Sequence, residues 1–236
     1  MKVLLAASLA ATLLAATMAA QAPPQIPRLP DGKPDFSGIW DRPFVIDMSE
    51  DGPNQKGAGD LPFNPLGLEK WKELQADKAD FNASCLPMGP LRSMNSPYPI
   101  QLVSTPGQFV ILAEMNNVFY VVPTGGRKHP GDLEPQWNGL STGRWEGDTL
   151  VVETAHFNDK TRLDNQGHPH SGQLKLTQRF TRSDHDHIAY EITVDDPKTY
   201  SRPWKNTRTF TLRSDWEVLE YSCEENNKDV VDGHVK

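Results

Sequence analysis

From Pro99 to Cys223 the chain alternates apolar and polar side chains through a series of short runs. They are IQLVST, QFVILAEM, NVFYVVPT, DTLVVETAHF, LKLTQRFTR, HIAYEITVD, TRTFTLR and VLEYSC. Each is rich in β-branched and aromatic residues, and turn signals such as Pro106-Gly107, Asn116-Asn117, Gly147-Asp148 and Ser183-Asp184 separate them. Eight antiparallel strands at this spacing predict an all-β fold, an up-and-down barrel or a sandwich. The barrel is favoured, because closure removes exposed edges and about eight strands enclose room for one small ligand. Upstream, from Gln21 to about Pro99, the chain is rich in Pro, Gly and Asp. Its one helical stretch is GLEKWKELQADKADF, where Leu68, Trp71 and Leu74 or Gln75 form a modest apolar stripe. Phe36, Ile39, Trp40, Phe44 and Phe63 would be poor residues for a free linker, so this arm is expected to wrap the barrel.

The first residues, MKVLLAASLAATLLAATMAAQA, have an early Lys2, a Leu/Ala core and small residues at the end, as a secretory signal does. The run is shorter than the ~20 residues that span a bilayer, and Pro23 and Pro24 follow at once. The expected organisation is a signal peptide over 1–22, a wrapping arm with one short helix over 23–98 and a barrel over 99–236. The expected location is periplasmic or secreted, with no integral membrane segment in the mature chain. The net charge of -7 leaves no basic field for nucleic acid. Cys85 and Cys223 are the only cysteines. In an oxidising compartment they read as a disulfide closing a long loop, with two buried free thiols as the other possibility.

Ionisable groups concentrate between Gly143 and Phe180. His168 and His170 follow Asp164 in DNQGHPHSG, and imidazole exchanges protons at ordinary pH when a carboxylate fixes its tautomer. His170 is the expected acid or base, Asp164 its orienter, and Ser171 a donor to ligand. The loop GGRKHPGDLEPQWNG supplies His129 as an opposing proton donor, Arg127 to hold an anionic group, and Trp137 to cover a ring. Glu114 and Arg179 are expected inside the barrel as a pair that orients substrate, with His156 at the cavity wall. Against these stand plainer readings: a surface loop, a polar turn with exposed histidines, and a structural ion pair. His185 and His187 read as an exposed hairpin. The His-x-His pairs suit a metal, but SGQLK brings no carboxylate after His170, and HExxH is absent, so no metal or other cofactor is expected. GLSTG matches a nucleophile-elbow pattern without the strand and helix that such an elbow needs.

PDGKPDFSGIW, PYPIQLVSTPGQFVIL, GRWEGDTLVVET and EYSCEENN resemble a family of exported bacterial proteins of largely unknown function. The resemblance covers nearly all of the mature chain and implies a lipocalin-type barrel with a proline-rich arm. It brings no catalytic residues. Family motifs correspond to Arg127 and His129, to Asp164, His170 and Ser171, and to Asp195, Asp196 and Pro197, whereas His156 stands where Gly or Asn is expected. The leading functional expectation is an exported barrel enzyme acting on a small organic molecule, aromatic or glycosidic, by metal-independent acid–base chemistry of lyase or isomerase type. The alternatives are a carrier or scavenger of small hydrophobic ligands, and an envelope protein that contacts a partner through the arm.

Overall fold

A computed structural model describes residues 25–77 and 85–225. The signal peptide expected over 1–22, and the end of the first helix toward Phe81, lie outside the described residues. In chain order the elements are β1 Gly38–Asp41, β2 Gln55–Lys56, α1 Pro65–Asp77, α2 Gly89–Asn95, β3 Ile100–Thr105, β4 Gln108–Ala113 and β5 Val118–Pro123. They continue with β6 Leu140–Glu146, β7 Thr149–Ala155, β8 Lys175–Arg182, β9 His187–Asp195 and β10 Trp204–Leu212. The strand order is β5-β4-β3-β1-β10-β9-β8-β7-β6, antiparallel throughout, with β2 as a short flap on β10. The end strands β5 and β6 meet at Gly143, where an added Cβ would lie 2.8 Å from Thr124 Cγ2 and 3.1 Å from Val122 Cγ1. The sheet is therefore a nearly closed barrel, with a glycine at the seam because no side chain fits there.

Seven of the eight expected runs are strands, and their alternation is the barrel wall. Leu176, Gln178 and Phe180 on β8, Ile188, Tyr190 and Ile192 on β9, and Asn206, Arg208 and Phe210 on β10 are buried, with more exposed residues between them. The rings of Phe109, Phe180, Tyr190 and Phe210 form a connected series with centroids 4.9–5.2 Å apart. Phe36 of the arm joins it by stacking on Trp145 and meeting Phe109 and Phe180 edge-on. Burying each such ring stabilises the fold by about 1.5–3 kcal/mol.

The structure departs from expectation at four elements. The arm contributes β1, seated between β3 and β10, so the sheet begins well before Pro99. LSTGRWE forms β6; its residues are half-buried or exposed along the whole strand, so no clear alternation marks it. VLEYSC is not a strand. Its Leu219 N–H donates to Glu114 Oε2 (2.9 Å), and its Tyr221 carbonyl accepts from Asn117 Nδ2 (2.6 Å), so side chains hold it in place of a ladder. The fourth is α2, seven residues that are all buried. Pro90 and Met94 of α2 line one small void together with Ile111, Tyr120, Val152 and Gln178 from the wall, so the helix occupies the lumen. The cavity expected for a ligand is filled by the chain itself.

Arginines serve the C-terminal carbonyls of this buried helix, which have no partner along the helix. Arg42 Nη1 donates to Ser93 O (3.1 Å) and Arg208 Nη1 to Met94 O (3.3 Å). At the other end Gly89 has φ +82°, and a Cβ there would lie 2.8 Å from Thr161 Oγ1, so backbone shape and space both require glycine. Among the described residues no helix is long and apolar enough to cross a membrane. Cys85 and Cys223 form a disulfide with Cα atoms 5.6 Å apart, tying the segment before α2 to the tail after β10. The paired replacement Cys85→Ser/Cys223→Ser should lower unfolding free energy by about 2–5 kcal/mol in a urea titration. An unchanged midpoint would mean that the tail is held without the bond.

Candidate functional site

The loop between β7 and β8 carries the densest polar chemistry. Asp164 is wholly buried. Gly167, at φ +84°, turns the chain so that its N–H reaches Asp164 O (3.2 Å). This returns His168 to the aspartate: His168 N–H donates to Asp164 Oδ1 (3.3 Å), and Nδ1 lies 2.6 Å from Oδ2. Oδ2 also accepts Met48 N–H from the arm (2.9 Å). The arrangement places the proton on Nδ1 and leaves the lone pair on Nε2, for which no described residue supplies a hydrogen bond.

Aromatic rings from the arm surround this imidazole. Asn64 caps α1 by accepting Gly67 N–H (2.8 Å), and Gly67 packs so closely on Thr199 that an added Cβ would lie 2.0 Å from its carbonyl oxygen. Trp71 on α1 thereby lies 5.2 Å from the His168 ring, with Phe63 at 6.1 Å, centroid to centroid. Trp71 Nε1 is buried without a hydrogen-bond partner. Tyr200 packs on Phe63 and donates to Pro169 O (2.9 Å). Its hydroxyl is pushed well above the usual tyrosine range, chiefly by burial and then by the Asp164 and Asp196 charges.

Asp47 completes a group whose ligand atoms, with those of Asp164 and His168, lie within 4.8 Å of one another. The 2.6 Å Nδ1–Oδ2 separation is that of a shared proton. Two donors on one zinc ion, each at ~2.0–2.2 Å, would stand more than about 3 Å apart. Asp47 Oδ1 is 4.0 Å from Nδ1 and accepts the Ser49 N–H (2.7 Å) and hydroxyl (2.6 Å). The cluster as built is an Asp–His pair with a second carboxylate beside it.

The other expected residues are placed differently. His170 is not the partner of Asp164. Its Nδ1–H donates to Ser171 O (3.0 Å), and its Nε2 accepts from Thr161 Oγ1 (2.7 Å), so both nitrogens are occupied. Ser171 is bound by its N–H (2.6 Å) and hydroxyl (2.7 Å) to Asp196, which also takes the Thr199 hydroxyl (2.8 Å). His129 Nε2–H donates to Ser141 O (2.7 Å), and no described contact joins it to His170. His156 is exposed at φ +67°, a backbone that Gly or Asn ordinarily adopts, and bonds to the Leu133 carbonyl.

Glu114 and Arg179 do not meet. Glu114 lies past the end of β4 and clasps the tail, while Arg179 is on the outer face of β8, 2.8 Å from Glu146. Arg127 is exposed on a groove of about 200 Å³ that it shares with Lys128, Arg144 and Glu153. Trp137 is half-buried, with Lys160 Nζ 5.4 Å above its ring. Sequence reasoning missed the central place of His168 and the roles of Asp47, Phe63, Trp71 and Tyr200; the four-residue spacing from Asp164 to His168 across Gly167 was the available signal.

No protein-family model matches the chain, and no curated protein matches it in sequence.

Burial holds the His170 pKa below its ordinary 6.5. As pH falls below about 6.5, the unfolded chain takes up this proton while the folded chain resists it, so stability present above that pH is lost on the acid side. Urea denaturation between about pH 7.5 and 5 should show that loss, and a shallower one in His170→Gln. Equal slopes in the two proteins would contradict the assignment.

Proposed function

We propose that the protein is an exported, lipocalin-like barrel enzyme that acts on a small organic molecule by metal-independent proton transfer, of lyase or isomerase type. Asp164 and His168 are the working pair, replacing the His170–Asp164 pair expected from sequence. The observation that supports this reading is the His168 ring, whose Nδ1 is held by a buried carboxylate at 2.6 Å while Nε2 takes no hydrogen bond from the described residues. An imidazole held in this tautomer is the form that accepts a proton at Nε2. Trp71 Nε1, a second polar atom without a partner, belongs to the ring packed on His168, and with Phe63 it offers an aromatic face and a donor to a ring or sugar hydroxyl.

Export accords with the leader and with a disulfide that persists in oxidising compartments. The carrier reading is less well supported, because α2 and the wall side chains occupy the lumen in which a carried ligand would sit.

The test is incubation of the mature protein with a mixed pool of aromatic, glycosidic and lipid compounds, read as mass changes. Conversion should fall by at least about 100-fold in His168→Gln, the scale of a lost general base. It should persist in His129→Gln and His170→Gln, compared per folded molecule by circular dichroism. Full conversion by a folded His168→Gln protein would sink the proposal, as would a pool in which the wild type converts nothing but retains a compound.

A further inference from the structure

The barrel closes without a ladder between its end strands, because β5 and β6 each pair on one side only. A strap, residues 124–129, crosses this seam and is fastened at both ends. Thr124 N–H donates to Gly107 O (2.9 Å) in the turn before β4, and His129 Nε2–H donates to Ser141 O (2.7 Å) on the edge of β6. The Ser141 carbonyl therefore turns away from β7, and Gly143, two residues along, presents its backbone on the same unpaired edge. Between the two anchors lie Gly125, Gly126 at φ +82°, Arg127 and Lys128. Arg127, Lys128, Thr142, Gly143, Arg144 and Glu153 line one open groove of about 200 Å³. Its charges do not cancel. Arg144 pairs with Glu146 (3.0 Å) and Glu153 (2.8 Å), and Arg179 meets the other oxygen of Glu146 (2.8 Å), so those two arginines and two glutamates balance. Arg127 and Lys128 are exposed, and among the described residues no carboxylate forms an ion pair with either. A chain of net charge -7 thus holds two uncompensated cations side by side on a concave surface.

We propose that this seam groove binds a small organic anion by its carboxylate or phosphate group. Arg127 forks onto two oxygens, Lys128 adds a point charge, and the half-buried Thr142 adds a hydroxyl. Glu153 lies on the same groove with its charge offset by Arg144. Size follows from space. The groove is several times the ~30 Å³ of one water molecule, so an organic body fits behind the oxyanion, and it is smaller than the ~300 Å³ at which drug-sized pockets begin. No residue of the His168 site lines the groove, so anion binding here is independent of the reaction proposed there. Arg127 keeps the anion-holding chemistry expected from sequence, at the seam instead of beside the catalytic pair.

The test is a titration of the mature protein with glucuronate, glucose-6-phosphate, inorganic phosphate and glucose at low ionic strength, followed by ¹H–¹⁵N spectra. Saturable shifts of the Arg127, Lys128 and Gly143 amides are expected with glucuronate or with glucose-6-phosphate, and the stronger of the two tells carboxylate from phosphate. Binding should weaken by at least about tenfold in Arg127→Gln/Lys128→Gln, and glucose should shift none of these amides. Equal shifts with glucose overturn recognition by charge, and inorganic phosphate that binds as tightly as both organic anions overturns the organic body. Groove amides that neither organic anion moves, or unweakened binding by the folded variant, overturn the proposal as a whole. If the variant does not fold, the wild-type titrations decide alone.

Discussion

The Asp164 carboxylate holds two parts of the molecule together through three hydrogen bonds. Wholly removed from water, it accepts the Met48 N–H of the arm, the His168 N–H of the mouth loop and the His168 ring proton. A buried carboxylate without such donors would be costly, so the arm and loop cannot separate without exposing it. Further bonds follow the same seam: Asn165 and Gln166 N–H groups reach Ile46 O, and Asn206 Nδ2 reaches Met48 O on the side of β10 (3.0 Å). The geometry that fixes the His168 tautomer is therefore also the geometry that closes the arm over the barrel.

A second constraint acts inside. Filling the lumen with α2 removes the space that a ligand would use, and it obliges the wall to supply donors for helix carbonyls. Arg42 and Arg208 meet that need, and Asn95 Nδ2 joins the helix to Leu163 O (3.0 Å) in the same loop as Asp164. Lumen and mouth are thus coupled through one segment.

The barrel was legible because one face of β3, β4, β5, β8, β9 and β10 is buried and the other is less so, which imposes a period of two, while β7 buries Leu150, Val151 and Val152 in succession and reads as a strand from its β-branched run. Where that condition fails, so did the reading. Residues 38–41 are too short to show a period, and β6 has no clearly buried face. Glu114 was placed in the lumen by carrying the β4 alternation past Ala113 into the turn. Arg179 fell on the outer face by the same parity that buries Gln178 and Phe180. Asp164 was identified from sequence, but its partner was not, since only the turn at Gly167 shows that His168 returns to it while His170 turns to Thr161. Buried arginines that cap a helix leave no mark on composition, because the sequence holds 24 Lys and Arg against 31 acidic residues.

The most direct test of the account is the tautomer of His168, read by long-range ¹H–¹⁵N correlation on histidine-labelled protein near neutral pH. The account predicts a ring that keeps its proton on Nδ1, far downfield and protected from exchange because it is shared with Asp164, and that takes up any further proton at Nε2. A ring protonated at Nε2, with a bare Nδ1, would contradict it.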